Sequence, residues 1–304
     1  MIRAGLIAIA FCALAASPAS RQGQAVFHAD ARLVVVHVSV HDRQGEPVTG
    51  LDRGAFEVYE NGARQPVALF RSDEVPVSLG MVIDNSSSMR ARRAAVETAA
   101  LAFARVANPL DEAFVVNFAD TVRLDVPITR DHRLIESGLA RIDAIGGTAL
   151  RDAVEVAAEY LNRHATHDRK ALLVISDGDD NASTASMDPI RRRAGQDGIA
   201  IYALALPHDD PAKAQRGGAA LDDLAEHTGG VAVHVGNVAD LDAAALRLAR
   251  EIRRQYTLAY TPSRQALDGS YRKIRVVVKG REKLSVRARA GYYATPAGSP
   301  RRAS

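Results

Sequence analysis

A short polar segment follows an apolar, strand-like run in the first third of the chain. In MVIDNSSSMR, residues 81–90, Asp84 comes directly after the apolar run 77–83, and three serines follow it. A helix N-cap needs only one Ser or Asp. Here Ser86 and Ser88 stand two residues apart on a predicted turn, so both hydroxyls can point the same way with Asp84 behind them. An all-oxygen set with few carboxylates is the type that Mg²⁺ accepts.

Two further polar loops stand in the same relation to predicted strands and helices. Ser-Asp-Gly at 176–178 ends the apolar run KALLVIS, and Gly-Gly-Thr at 146–148 precedes a helical segment. In a doubly wound sheet, ligands lie outside the carboxyl ends of the strands, so the three loops should share one edge. The glycines allow close backbone approach and let Thr148 aim its hydroxyl inward. We interpret Asp179, Asp180 and Asn181 as rim or loop-structuring groups.

Each motif taken alone also has an ordinary structural explanation. Ser86 or Ser88 could cap the helix predicted from Arg90, and Thr148 could cap the one predicted from Ala149. Asp177-Gly178 could form a tight turn. The occurrence of all three motifs in this order favours a metal site over three independent caps and turns.

The elements that must position these loops form an α/β pattern over residues 77–254. Apolar strands alternate with helices, which predicts a doubly wound, mostly parallel sheet with helices on both faces. The last two predicted helices are Leu221–His227 and Leu241–Arg254. The segment LSVRARAGYY, residues 284–293, is predicted as one strand after this domain.

Strand patterns flank this α/β region, at residues 31–72 and 255–294. Asn61-Gly62 is a strong hairpin signal in the first flank. Each flank has about three strands, which is marginal for independent stability. We therefore expect the flanks to pack together as a small β-sandwich into which the α/β domain is inserted, with two separate appendages as the alternative.

The N-terminus is typical of an export signal. Arg3 precedes an apolar run that is too short for a stable membrane anchor, and Ser17-Pro18-Ala19 suits a signal peptidase. We predict a signal peptide at residues 1–19, a linker at 20–30 and a disordered tail at 295–304. The only cysteine lies inside the signal. The mature protein is then free of disulfides, periplasmic or secreted, and without a stable membrane span.

Composition and the absence of certain motifs argue against several classes of function. The formal net charge of +3 is small and the charges are interspersed, so no nucleic-acid partner is predicted. The sequence has neither a Gly-x-Ser-x-Gly elbow nor a Gly-x4-Gly-Lys-Ser/Thr phosphate loop. His37 and His41 share one face of a predicted strand, where we expect a solvated pair rather than a metal site.

The three motifs together resemble the metal-ion-dependent adhesion site (MIDAS) of a von Willebrand factor type A (VWA) domain. These are Asp-x-Ser-x-Ser at 84–88, the threonine of the Gly-Gly-Thr loop at 148, and Ser-Asp-Gly at 176–178. The flanks, VSVHDRQGEPVTGLDRGAFEVYENG and QYTLAYTP followed by YRKIRVVVKG, resemble a secreted bacterial group called VWFA-related Acidobacterial domain proteins. The resemblance extends over most of the mature chain.

The resemblance implies a role for each matched residue. Ser86, Ser88 and Thr148 ligate Mg²⁺ or Mn²⁺ directly through their hydroxyls. Asp84 and Asp177 act largely through water or as second-layer acceptors. One metal position stays open for an Asp or Glu of a partner protein.

These inferences predict an exported adhesion or scaffold protein that is not an enzyme. It would bind a protein partner through a divalent metal. Two alternatives stay open. One is a structural envelope protein with a vestigial metal site. The other is a metal-dependent hydrolase, in which the metal activates water.

Overall fold

The computed structural model describes residues 33–106, 108–140, 145–280 and 284–295. The predicted signal peptide, the linker at 20–30 and residues 296–304 of the predicted tail lie outside these ranges. Within them, no helix combines the length and apolar character needed to cross a membrane.

Strands and helices are numbered separately in chain order. The strands are β1 (Val34–His41), β2 (Phe56–Glu60), β3 (Ala63–Gln65), β4 (Val67–Arg71), β5 (Val77–Asp84), β6 (Glu112–Phe118), β7 (Val122–Thr129), β8 (Arg169–Ser176), β9 (Ile199–Ala205), β10 (Ala232–His234), β11 (Tyr256–Tyr260), β12 (Tyr271–Val278), β13 (Ser285–Ala288) and β14 (Gly291–Tyr293). The helices are α1 (Arg93–Arg105), α2 (His132–Leu139), α3 (Leu150–His164), α4 (Met187–Asp197), α5 (Pro211–Thr228) and α6 (Leu241–Arg253).

The central sheet has the order β10-β9-β8-β5-β6-β7. Its strands are parallel except for β7, which pairs antiparallel with β6. Every residue of β5 is buried, because helices cover both faces of the sheet and form a separate apolar core on each. The predicted fold class, a doubly wound and mostly parallel sheet with helices on both faces, is confirmed.

The register of the central strands determines which strand ends lie side by side at the predicted site. Ile83 of β5 is paired with Ile175 of β8, and Asp84 with Phe118 of β6. Because all three strands are parallel, the loops that follow β5, β6 and β8 leave the sheet at one edge.

Two further four-stranded sheets combine strands from both flanks, in the orders β13-β1-β11-β4 and β14-β12-β2-β3. Their inward side chains form one apolar cluster, which includes Val36, Phe56 and Leu258. The segment 284–293 was expected to be one strand. Instead it contributes β13 to one sheet and β14 to the other, so the chain crosses between sheets at residues 289–290.

Helix α5 is much longer than the predicted Leu221–His227, since it begins at Pro211. Asp210 caps it by accepting hydrogen bonds from the backbone N–H groups of Ala212 and Lys213, and proline suits the first helical position because it lacks an N–H. The pair Gly217-Gly218 lies inside the helix. Because glycine is unfavourable in helices, this pair explains why the sequence pattern did not predict the first half of α5.

The predicted solvated histidine pair is wrong. Even-numbered residues of β1 face the apolar cluster of the flanking sheets, whereas odd-numbered ones face the α/β domain. His41 is buried with its Nε2 2.5 Å from Glu251 on α6, and Nδ1 of His37 lies 3.2 Å from the Thr257 hydroxyl. The two rings share a face as expected, but that face is turned toward the α/β domain, where His41 is buried against α6 and His37 is half-buried beside Thr257 of the neighbouring strand β11.

The half-buried position of His37 near two arginines predicts an acid-sensitive contribution to stability. Burial and the charges of Arg169 and Arg289 lower the pKa of His37 to about 3. In the unfolded chain the pKa is about 6.5, so the unfolded state binds the proton first. The contribution of neutral His37 to the free energy of unfolding is complete above about pH 6.5. It is lost as the pH falls toward 3, by up to about 1.4 kcal/mol per pH unit.

His37→Gln should therefore flatten the fall in unfolding free energy between about pH 7.5 and 5, by up to about 2 kcal/mol. Urea unfolding at both pH values measures this difference. The exposed His132→Gln is the control and should keep the wild-type slope. Equal slopes for His37→Gln and wild type would contradict the assignment.

Candidate functional site at the carboxyl edge of the sheet

Asp84 is the last residue of β5 and is 2% exposed. Its Oδ1 accepts a hydrogen bond from the backbone N–H of Ser86 at 2.8 Å. Its Oδ2 accepts one from the Ser176 hydroxyl, at the end of β8, at 2.5 Å. The carboxylate therefore ties its own loop to the neighbouring strand.

Ser86 and Ser88 lie in the turn between β5 and α1, which is partly a 3₁₀ helix over Ser87–Arg92. Their hydroxyl oxygens are 3.1 Å apart, so the two side chains do point to the same place. Ser87 between them is exposed, and its hydroxyl donates to the carbonyl of Gly146 at 2.8 Å. Ser87 thus connects the turn to the Gly-Gly-Thr loop by a hydrogen bond, while the hydroxyls of Ser86 and Ser88 face each other.

Thr148 is buried at 2% exposure in the loop before α3. Its N–H donates to Oδ1 of Asn181 at 2.9 Å, and its carbonyl accepts from the N–H groups of Asn181 and Ala182. The Gly-Gly-Thr loop is therefore bonded on one side to the serine turn and on the other to the loop after β8. All three predicted loops meet at this edge.

Asp177 follows β8 and is 1% exposed. Its Oδ1 accepts from the N–H of Asp179 at 3.2 Å. Its Oδ2 is buried, and no hydrogen-bond donor of the described chain reaches it. A buried carboxylate oxygen without a donor is costly, so Asp177 is an incompletely satisfied charged group at this edge.

The two buried carboxylates affect each other. Burial raises the pKa of Asp84 to about 7, and the charge of Asp177 adds to the rise, against the hydrogen bonds from Ser176 and Ser86 that favour the ionised form. No cluster of three or more His, Cys, Asp or Glu side chains suited to a metal occurs in the described ranges. The ligands available at this edge are two carboxylates and hydroxyls, a set suited only to a hard cation.

The residues after Asp177 structure the loops around it. Oδ2 of Asp180 accepts from the backbone N–H and Nε of Arg151 at 2.9 and 3.0 Å. Oδ2 of Asp179 accepts from Nζ of Lys213 at 2.7 Å. Together with the Asn181 bond to Thr148, these contacts occupy the three side chains in loop structure.

Sequence reasoning did not give Ser176 and Asn85 roles of their own. Ser176 donates to Asp84 and accepts from the N–H of Gly178 at 2.9 Å, so it sets the position of the first carboxylate. The strand register could have indicated this, since it places Asp84 and Ser176 side by side. Oδ1 of Asn85 is buried, and no described donor contacts it.

The loop after β8 depends on a close backbone contact with α5. Gly178 has a φ of +76°, which favours glycine, and a Cβ on Gly217 would lie 2.2 Å from the carbonyl oxygen of Asp177. Only a glycine at 217 lets the helix approach the loop this closely. The glycine pair inside α5, which the sequence pattern did not explain, therefore allows the helix to contact the loop that carries Asp177.

This contact predicts opposite effects of alanine at two helical glycines. Gly195→Ala in α4 should be neutral or stabilising by up to about 1 kcal/mol, because a Cβ there meets nothing within 4 Å. Gly217→Ala should destabilise by about 1–3 kcal/mol through overpacking against Asp177. Urea unfolding measures both. Equal stability of the two variants would contradict the close contact.

Comparisons with known proteins agree with this architecture. Residues 79–179 match the sequence profile of the von Willebrand factor type A domain. A von Willebrand factor type A structure from Catenulispora acidiphila is 11% identical, covers 88% of this chain and 75% of its own, and has a TM-score of 0.51. No curated protein matches the chain.

Two bacterial structures align over less of the chain, both with a TM-score of 0.48. An aerotolerance-related membrane protein from Bacteroides fragilis is 20% identical and covers 58% of this chain and 98% of its own. The von Willebrand factor domain of a type V pilus tip protein from Porphyromonas gingivalis is 15% identical and covers 59% and 95%. The likeness of the flanks to the Acidobacterial group stays a prediction. A type A domain fits a role in protein interaction, and it is the von Willebrand factor type A domain whose family model residues 79–179 of this chain match.

Proposed function

We propose that the protein is an exported, metal-dependent protein-binding protein that captures an acidic side chain of a partner. Mg²⁺ or Mn²⁺ would be held at the carboxyl edge of the central sheet by Asp84, Ser86, Ser88, Thr148 and Asp177. The observation that carries the proposal is the buried Oδ2 of Asp177, which no described donor satisfies, in the loop next to the buried carboxylate of Asp84.

Two neighbouring buried carboxylates are unfavourable unless a positive charge or donors offset them. Asp84 has donors for both oxygens, whereas Asp177 has a donor for only one. A divalent cation would supply the missing charge. The hydroxyl pair of Ser86 and Ser88, 3.1 Å apart, offers the neutral oxygens that such a cation also takes.

The neutral hydroxyls also explain why the partner group would be acidic. A bound dication supplies a Lewis acid whose charge is only partly neutralised when most direct ligands are hydroxyls. Asp84 and Asp177 orient the hydroxyls and nearby waters, and an Asp or Glu from a partner completes the charge balance. Ile145, which is 68% exposed beside the Gly-Gly-Thr loop, offers an apolar contact next to that acid.

The two alternative functions, a metal-dependent hydrolase and a structural protein with a vestigial site, require different features at this edge. A metal-dependent hydrolase needs a general acid or base near the metal. His227 and His234 have their polar contacts with Asp223 and Asp222 on α5. A structural protein with a vestigial site would not need metal at all. We place protein capture first because most of the direct metal ligands would be neutral hydroxyls, and we test metal binding directly.

Titration with Mg²⁺ tests the metal site. At about 100 times its dissociation constant, the metal should raise the melting temperature by about 5–10 °C above the value in EDTA. Ser86→Ala and Asp177→Asn should lose this shift. Ser87→Ala is the matched control, since its side chain bonds to Gly146, and it should keep the shift.

Asp177→Asn has a second expected result. In EDTA it should be at least as stable as wild type, because it removes an incompletely satisfied buried charge. A variant that is strongly destabilised in EDTA would indicate a purely structural carboxylate. No Mg²⁺ shift in the wild type would favour the vestigial-site alternative.

Selection from a random peptide library tests the partner chemistry. Peptides bound in Mg²⁺ and released by EDTA should be enriched in Asp or Glu, and replacement of that acid by Asn or Gln should abolish binding. The same peptides should not bind Ser86→Ala. Selected peptides that lack acids, or binding that survives EDTA, would contradict capture through the metal.

A further inference from the structure

A second site candidate lies at the opposite edge of the central sheet. A cavity of about 820 Å³ is lined by the first residues of β8 and β9 and by the outer face of β1 and β11. It therefore separates the amino ends of the parallel strands from the sheet β13-β1-β11-β4. Its volume falls within the range typical of small-molecule pockets.

Arg169, at the start of β8, is 3% exposed and lines this cavity. Its Nη1 donates to the carbonyls of Ile252 and Arg253, and its Nη2 to the carbonyl of Gln255 and the hydroxyl of Thr257, all at 3.2–3.4 Å. Its Nε is buried, and no described acceptor reaches it. The guanidinium is held by long bonds to neutral oxygens.

Arg289, between β13 and β14, lines the same cavity. Its Nη2 donates to the carbonyl of Val35 at 2.7 Å and its Nη1 to that of Gly195 at 3.2 Å, while its Nε is buried without a described acceptor. Among the described residues, neither Arg289 nor Arg169 forms an ion pair with a carboxylate. Arg169 lies in the field of the Asp111 and Glu74 carboxylates without an ion pair to either, so the two arginines bring to one cavity positive charge that no direct ion pair within the described ranges offsets.

The His37 ring lines the same cavity and lies in the field of both guanidinium groups. Thr257 accepts from Arg169 and can donate its hydroxyl proton to Nδ1 of His37, which leaves the ring proton on Nε2. The ring is therefore a neutral donor beside two cations. Burial, and after it the charges of Arg169 and Arg289, lower the pKa of His37 and so keep the ring neutral.

The remaining lining is mixed. Arg71 and Lys170 add two cations, and Asp168 and Asp197 add two carboxylates, so the described lining keeps the net charge of the two arginines. Apolar side chains form one wall, and they include Leu33 and Val35, which are 45% and 42% exposed, and Leu69. The cavity therefore combines an exposed apolar surface with two guanidinium groups that form no ion pair in the described part of the chain.

We propose that this cavity binds a small amphipathic anion, with a carboxylate or phosphate headgroup at Arg169 and Arg289 and its apolar part against Leu33, Val35 and Leu69. Guanidinium groups bind both headgroups through charge-assisted hydrogen bonds. This site is separate from the metal site, so it does not depend on the proposed function.

Calorimetric titration with octanoate, octyl phosphate and octanol tests the proposal. At least one of the two anions should bind saturably, and which one does so identifies the headgroup. Octanol, which has the same apolar chain without the charge, should bind about tenfold more weakly or not at all. Equal binding of octanol, or no saturable binding of either anion, would overturn the proposal.

Val35→Glu locates the binding. Val35 is 42% exposed on the face of β1 that lines the cavity, and its carbonyl accepts from Arg289, so a carboxylate there can replace the ligand headgroup without disturbing the apolar cluster. We expect at least about tenfold weaker anion binding by this variant. Arg275→Gln, on β12 with its guanidinium over Tyr59 and away from the cavity, is the charge control and should bind as wild type. Wild-type affinity in Val35→Glu would overturn the assignment.

Discussion

The bond between Asp84 and Ser176 joins the ends of the two central strands, and the carboxyl edge of the molecule is built around it. It exists because β5 and β8 run parallel in a register that brings their last residues level. Asp84 then sets the serine turn through the N–H of Ser86, and Ser176 sets the loop of Asp177 through the N–H of Gly178. One buried carboxylate and one hydroxyl thus position two of the three loops.

The two edges of the central sheet carry opposite, incompletely balanced charges. At the carboxyl edge, two buried carboxylates share few donors, and a cation would balance them. At the amino edge, Arg169 and Arg289 are held by neutral carbonyls, and an anion would balance them. Because a buried charge is stabilised only by a partner of opposite sign or by strong hydrogen bonds, both edges are chemically suited to ligands. The flanking sheets contribute directly to the second edge, since β1 and β11 form its outer wall.

The sequence predicted those features that depend on local pattern. Buried parallel strands appear as continuous apolar runs, and the three motif loops are short and follow or precede such runs. The grouping of Asp84, Ser86 and Ser88 with the loops of Thr148 and Asp177 follows from parallel topology alone, which is why it could be predicted without coordinates.

Features that depend on contacts distant in sequence could not be predicted. The burial of His41 arises only when α6 packs against β1, and His37 is half-buried beside Thr257, which only the pairing of β1 with β11 brings next to it. Gly217-Gly218 resembles a helix break until Asp177 is seen against Gly217. The crossing of the chain between β13 and β14 is likewise set by the pairing of each strand in a different sheet.

A crystal structure of the protein grown with Mn²⁺ and glutarate would test the central claim most directly, because the anomalous signal locates the metal. The account predicts one strong peak about 2.1 Å from the Ser86 and Ser88 hydroxyl oxygens, with a glutarate carboxylate as a further ligand. A peak bound by other side chains, or no peak at this edge, would show that the edge is not the metal site.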